Sequence, residues 1–164
     1  MRPQPVVQPP PADPFCAAVA AELPRLRRFA RVLTRAADPA DDLVQETVLR
    51  ALAGRHGFAA GGNLRAWLFV ILRNARNAEL RRARLFTPGP ETEGVSGGQE
   101  ERQHMRDVAA AFLRLPATQR EVLWLVVIEG LDYAEAARIL DIPIGTVRSR
   151  LSRAREMLRG TVGG

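Results

Sequence analysis

Residues 131–159, LDYAEAARILDIPIGTVRSRLSRAREMLR, read as two helices joined by a turn that cannot itself be helical. Asp132 followed three residues later by Glu135 is the signature of a capped helix start. Apolar residues then recur at Ala136, Ala137 and Leu140, until Asp141-Ile142-Pro143 interrupts them. Proline disfavours the helical conformation in the residue before it, so the chain must turn there. A second run places Ile144, Val147, Leu151, Ala154 and Leu158 on one stripe and leaves Arg148, Ser149, Ser152, Arg153 and Arg155 mostly off it. The pattern is a helix-turn-helix. Small Ala137 stands where the two helices approach, and Asp141 stands at the turn, where an aspartate tolerates a left-handed backbone.

The off-stripe face decides between a solvated hairpin and a surface that enters a groove. Arginine pairs bidentately with guanine or with phosphate, and serine fits where a longer side chain blocks approach. Between Arg148 and Arg159 five arginines face a single acid, Glu156. The surroundings support a polyanionic partner. The chain has 164 residues, a net charge of +6 and a pI near 11.2. All 24 basic residues are arginine, a bias that genomic base composition explains more readily than selection at each site.

Several function classes are excluded or weakened. Cys16 is the only cysteine, and with His56 and His104 alone no metal-ligand spacing exists. A phosphate-binding Gly-Lys-Ser/Thr loop is impossible without lysine, and neither histidine has a nucleophile in motif context, so neither an enzyme nor a cofactor is expected. Asp41, Asp42 and Glu46 are better explained by charge complementarity at a helix N-terminus than by a metal. With no apolar run of transmembrane length and no signal peptide, a cytoplasmic protein without membrane insertion is expected.

Helical signals form two blocks separated by Thr87–Gly98, rich in proline and glycine. The expected organisation is all-α: a proline-rich tail at 1–14, a helical bundle at 15–86, a flexible acidic linker at 87–105 and the helix-turn-helix domain at 106–164. Charge follows this partition. Residues 15–86 hold 13 Arg against 6 Asp/Glu, 87–105 one Arg against four Glu, and 106–164 nine Arg against seven acids. In the first block a helix is expected over about Phe15–Thr34, with Leu23, Leu26, Phe29, Ala30 and Leu33 inward and Pro24 able to bend or split it. A second starts at Asp38-Pro39, with Asp38 as cap. It turns Val44, Thr47, Val48, Ala51 and Leu52 inward and Asp42, Gln45, Glu46 and Leu49 outward. A leucine on an acidic face suits a protein contact.

After the loop Gly57–Asn63, a long helix from Leu64 to about Arg84 has Leu64, Trp67, Leu68, Ile71, Ala75 and Ala78 as its core stripe. Its other side carries Arg73, Arg76, Asn77, Arg81 and Arg84, with Asn74 near the edge. Cations mixed with asparagines suit a phosphate backbone and contacts to unstacked bases, although a merely solvated face is as compatible with the pattern.

Asp41-Asp42-Leu43-Val44-Gln45-Glu46-Thr47 and Asn63-Leu64-Arg65-Ala66-Trp67-Leu68-Phe69-Val70-Ile71-Leu72-Arg73-Asn74 resemble region 2 of bacterial extracytoplasmic-function (ECF) sigma factors. Leu115-Pro116-Ala117-Thr118-Gln119-Arg120-Glu121-Val122-Leu123 and the run Gly145 to Arg155 resemble their region 4. The Phe58–Asn74 stretch is most similar to the alphaproteobacterial general-stress type, and Asp141 departs from the usual glycine.

The resemblance implies a promoter-specificity subunit of RNA polymerase. It assigns Asp42, Gln45, Glu46 and Leu49 to the beta-prime clamp helices of core polymerase, and region 4 to the beta flap. It assigns Asn63, with its loop, and Arg73, Asn74, Arg76, Asn77 and Arg81 to reading and opening the -10 element. Arg148, Ser149, Ser152 and Arg153 would enter the major groove of the -35 element, with Thr146 and Arg150 on phosphates. It also implies promoter DNA and an anti-sigma factor as partners. The competing classes are a free-standing helix-turn-helix regulator and an interaction protein held by an inhibitor. Region 4 folded back on region 2 would cover either Leu49 or the basic helix.

Overall fold

The computed structural model describes residues 13–86 and 101–162. Among the described residues the regular structure is all helical: α1 (Pro14–Thr34), α2 (Ala37–Ala53), α3 (Leu64–Phe86), α4 (Glu101–Arg114), α5 (Ala117–Leu123), α6 (Tyr133–Leu140) and α7 (Ile144–Val162). The proline-rich tail up to residue 12 and the linker residues 87–100 lie outside the described residues. α4 begins at Glu101, within the stretch assigned by sequence to the linker.

α1 starts one residue earlier than expected because Asp13 and Pro14 form its cap. The Asp13 side chain accepts the Phe15 N–H at 2.9 Å, and Pro14 occupies the first turn, where no intrahelical donor is needed. Pro24 lies inside α1 without splitting it. The helix ends at Arg35, a left-handed residue (φ 61°) whose N–H returns to the Arg31 carbonyl at 2.8 Å. α2 departs from its expected start: Ala36 is the cap and Asp38 sits inside the first turn, where it still complements the helix dipole.

α1, α2 and α3 bury a core around Leu26, Phe29, Ala30, Leu43, Val44, Phe69 and Leu72. The Phe29 and Phe69 rings lie 5.0 Å apart. Burying each contributes roughly 1.5–3 kcal/mol. Thr47, fully buried, satisfies its hydroxyl by donating to the Leu43 carbonyl at 2.7 Å. Phe69 and Leu72, outside the expected stripe of α3, are buried too, because this helix is covered on more than one side.

In the second block α5 runs into a π-helical turn, Trp124–Ile128, in which the Glu129 N–H reaches the Trp124 carbonyl. Gly130 then takes a left-handed conformation (φ 68°), and the Leu131 N–H closes back to the Leu125 carbonyl at 3.1 Å. Asp132 and Glu135 form the expected reciprocal capping box on α6. Asp141 ends that helix left-handed at φ 52°, ψ 52°. Val147, Leu151 and Ala154 of α7 are buried, Leu158 is half-buried, and Ile144 is exposed against expectation.

The two blocks pack together. Their buried apolar side chains form one cluster, with α6 against α3 and α5 against α1. Arg120, 2% exposed, fastens the seam by donating to the carbonyls of Val32 (3.2 Å) and Leu115 (3.1 Å). Val32 lies in the last turn of α1, where carbonyls lack helical partners and a cation complements the dipole. Arg35 reaches the other way, donating to the Leu113 carbonyl at 3.0 Å.

Candidate polymerase and nucleic-acid interfaces

Three surfaces follow from this packing. The first is the outer face of α2. Because Leu43, Val44, Thr47 and Ala51 are buried, the helical period turns Asp42, Gln45, Glu46 and Leu49 to the outside, and all four are exposed. Leu49 is 64% exposed. Glu46 is braced by Arg50 one turn on, at 2.6 Å. A shallow cleft of about 240 Å³ runs beside this face between α2 and α3, lined by Asp42, Glu46, Arg50, Glu79 and Arg82 among others.

The second surface is the α2–α3 loop with the outer side of α3. A single turn of 3₁₀-helix, Arg55–Gly57, leads to Phe58, and Gly61 adopts φ 80°, which a side chain would strain. Asn63 caps α3, its Oδ1 accepting the Ala66 N–H at 3.1 Å, while its Nδ2 donates to Glu135 of α6 at 2.7 Å. Along α3, Arg73 donates to Glu121 of α5 at 3.2 Å and also to Asn77. Arg76 pairs with Glu79 at 2.9 Å, and its Nε is buried without an acceptor. Asn74 and Arg81 are exposed, whereas Arg73, Arg76 and Asn77 are half-buried.

The residues expected to meet the -10 element therefore lie on one helix and its leading loop, but two of them are engaged by carboxylates of the second block. Glu121 is the residue that sequence reasoning missed. Burial pushes its carboxyl above the usual range even though Arg73, Arg120 and Arg150 draw it down. Arg25 of α1 similarly lies 3.6 Å from Glu129, whose side chain is almost wholly buried. No local signal marks Glu121 or Glu129: each sits in a helical run where an acid ordinarily faces water, and its partner lies many residues away.

The third surface is the outer face of α7. Arg148, Ser149, Ser152 and Arg153 are all exposed, while Thr146 and Arg150 are half-buried at its flanks. The Ser149 hydroxyl donates to the Thr146 carbonyl of its own helix at 3.1 Å. Val147, Leu151 and Ala154, interleaved with these residues and buried, hold the face rigidly outward. Among the described residues no group of His, Cys, Asp and Glu is arranged to hold a metal, and no helix is long and apolar enough to cross a membrane.

A helical block with an acidic outer helix, packed against an arginine-bearing helix-turn-helix, is the arrangement expected of the sigma-70 class of transcription initiation proteins. Residues 105–158 match the family described as Sigma-70, region 4, and residues 19–73 match the Sigma2 domain of PhyR. The ECF RNA polymerase sigma factor EcfG of Rhodopseudomonas palustris is 43% identical over 150 residues, covering 85% of this chain and 80% of that protein. The ECF RNA polymerase sigma factor SigC of Mycobacterium tuberculosis is 38% identical, covering 73% and 68%. The solved structure of the sigma factor RpoE in complex with the anti-sigma factor NepR from Bartonella quintana aligns with a TM-score of 0.79 and 37% identity over 91% of this chain and 96% of that one. The chain belongs to the ECF sigma factors of bacterial RNA polymerase, and it directs promoter-specific initiation of transcription.

Proposed function

We propose that the three surfaces divide the work of a sigma factor as follows. Asp42, Gln45, Glu46 and Leu49 meet the beta-prime clamp helices of core polymerase. Asn63, Arg73, Asn74, Arg76, Asn77 and Arg81 engage the -10 element, with the Gly57–Asn63 loop receiving a base extruded from the stack. Unstacking costs a few kcal/mol, which stacking and pocket hydrogen bonds offset. Arg148, Ser149, Ser152 and Arg153 read the -35 major groove, Thr146 and Arg150 hold its phosphates, and region 4 rests on the beta flap. The organisation is a region 2 unit at 15–86 and a region 4 unit at 106–164, acting in the cytoplasm on stress-response promoters. An anti-sigma factor as partner is supported by the likeness to RpoE in its complex with NepR.

The observation that carries this reading is the outer face of α7, where Arg148, Ser149, Ser152 and Arg153 are exposed together. The packed arrangement adds a condition. Glu121 and Glu135 compete with nucleic acid for Arg73 and Asn63, so -10 engagement is expected to part the blocks.

Run-off transcription with purified core polymerase tests the assignment. Specific transcripts are expected only with core present, together with weak binding of promoter duplex by the free chain. A footprint on an inverted repeat by the chain alone, with no core-dependent transcript, would replace the reading with that of a free-standing regulator.

A further inference from the structure

We propose that Asp13 and Phe15, at the start of α1, are positioning residues for the -10-reading loop and set its base discrimination through Arg55 and Phe58. The inference rests on the assignment of that loop to the -10 element and adds what holds it in shape.

The loop has little else to hold it. From Gly54 to Gly62 no residue is buried, and Phe58 alone is even half-buried. Its internal backbone bonds close only small turns, Gly57 to Gly54 at 2.8 Å, Phe58 to Arg55 at 3.2 Å and Gly62 to Ala59 at 2.9 Å. The Phe58 ring is the anchor. It lies 5.3 Å from the Trp67 ring of α3 and 6.2 Å from that of Phe15, and Phe15 meets Trp67 edge-on at 6.3 Å. Gly62 folds so tightly over this ring that a Cβ there would stand 3.2 Å from Phe58 and 3.0 Å from the Ala59 carbonyl. The conformation of the base-facing segment thus depends on where the Phe58 ring sits, and Phe15 forms one wall of that seat.

Asp13 couples the wall to the loop. One carboxylate oxygen accepts the Phe15 N–H and fixes the start of α1, while the other accepts from Arg55 in the 3₁₀ turn. The Arg55 guanidinium in turn lies over the Phe15 ring, 5.4 Å from its centroid. The bond from Arg55, then that from the Phe15 N–H, holds the Asp13 carboxyl below its usual range. α1 therefore grips both ends of the Arg55–Phe58 segment, one by charge and one by aromatic packing.

The test uses the holoenzyme, this chain with core polymerase, on a set of promoters carrying each base at each -10 position. Phe15→Ala is expected to reduce discrimination at one position by roughly two- to tenfold, the range an aromatic pair supports, with core affinity and -35 preference unchanged. Phe15→Tyr retains the ring and restores discrimination. Asp13→Asn keeps a helix-capping oxygen and loses the charge on Arg55; a fall in discrimination with no more than the small loss of melting temperature that the exposed ion pair accounts for supports the coupling, and holds even where Phe15→Ala fails to fold. Asn63→Ala separates the two layers. If it alters -10 preference while both Phe15→Ala and Asp13→Asn leave it intact, the loop reads the promoter and the positioning role is overturned. If none of the three alters it, the assignment of the loop falls and the proposal falls with it.

Discussion

At the scale of single residues the chain is governed by a few charges taken partly out of water. The Arg73–Glu121 pair has side-chain exposures of 18% and 11%, so each partner's charge is largely withdrawn from water and is compensated in part by the other. Arg73→Ala leaves the Glu121 carboxylate buried and should destabilise the folded chain by about 1–3 kcal/mol, read by chemical denaturation. Glu121→Gln behaves differently. Because burial raises the carboxyl of Glu121, the folded chain keeps a proton that the unfolded chain releases. Stability from this group falls as pH rises from the ordinary carboxylate pKa through the raised one, and is level above it. Glu121→Gln should remove that slope and melt no lower than the parent at neutral pH. Asp13 has the opposite sign: its lowered carboxyl contributes above the ordinary pKa and loses the contribution as pH falls through the lowered value. The sequence makes Asp13-Pro14 legible as a helix cap, yet the proline run before it draws the pair into the tail. Glu121 is illegible for a different reason, since nothing in residues 115–123 announces a partner 48 positions earlier.

At the scale of elements, apolar spacing located α1, α2, α3, α6 and α7 because each has one face that a core must cover. It failed where a helix is covered on more than one side, as at Phe69 and Leu72, and where apolarity is continuous. The π-helical turn falls in Trp124-Leu125-Val126-Val127-Ile128, five apolar residues with no period to read, of which Val127 and Ile128 are exposed. Two expectations attach to single helices. Pro24 is exposed and interrupts the α1 ladder, so Pro24→Ala should stabilise the chain, by up to about 3 kcal/mol in thermal unfolding, with no loss of packing. On α7, Arg148→Ala should cost roughly 1–3 kcal/mol of promoter affinity and relax preference at one -35 position. Equal weakening on all sequences would make Arg148 a phosphate contact.

At the scale of the whole molecule, composition divides the chain into two blocks, and periodicity reads each of them, but how they pack rests on pairs distant in sequence. Of the two surfaces that region 4 was expected to cover, the basic helix is engaged and Leu49 is left open. A chain nicked between residues 87 and 100 should therefore give fragments that co-elute in gel filtration. They should separate when Arg120→Leu removes the side chain that ties α1 to the end of α4. Immediate separation of the parent fragments would show that the linker, and not the seam, keeps the blocks together. The proposed parting of the blocks for -10 engagement would make the chain a two-population system. If about one molecule in a hundred is parted at a given moment, the -10 element experiences an affinity about a hundredfold below the intrinsic one. Every further ~1.4 kcal/mol placed on the packed form lowers it another tenfold. An antagonist thus has no need to cover α2 or α7: a ligand that straddles the two blocks and favours the packed form modestly sets a threshold concentration below which the factor is silent.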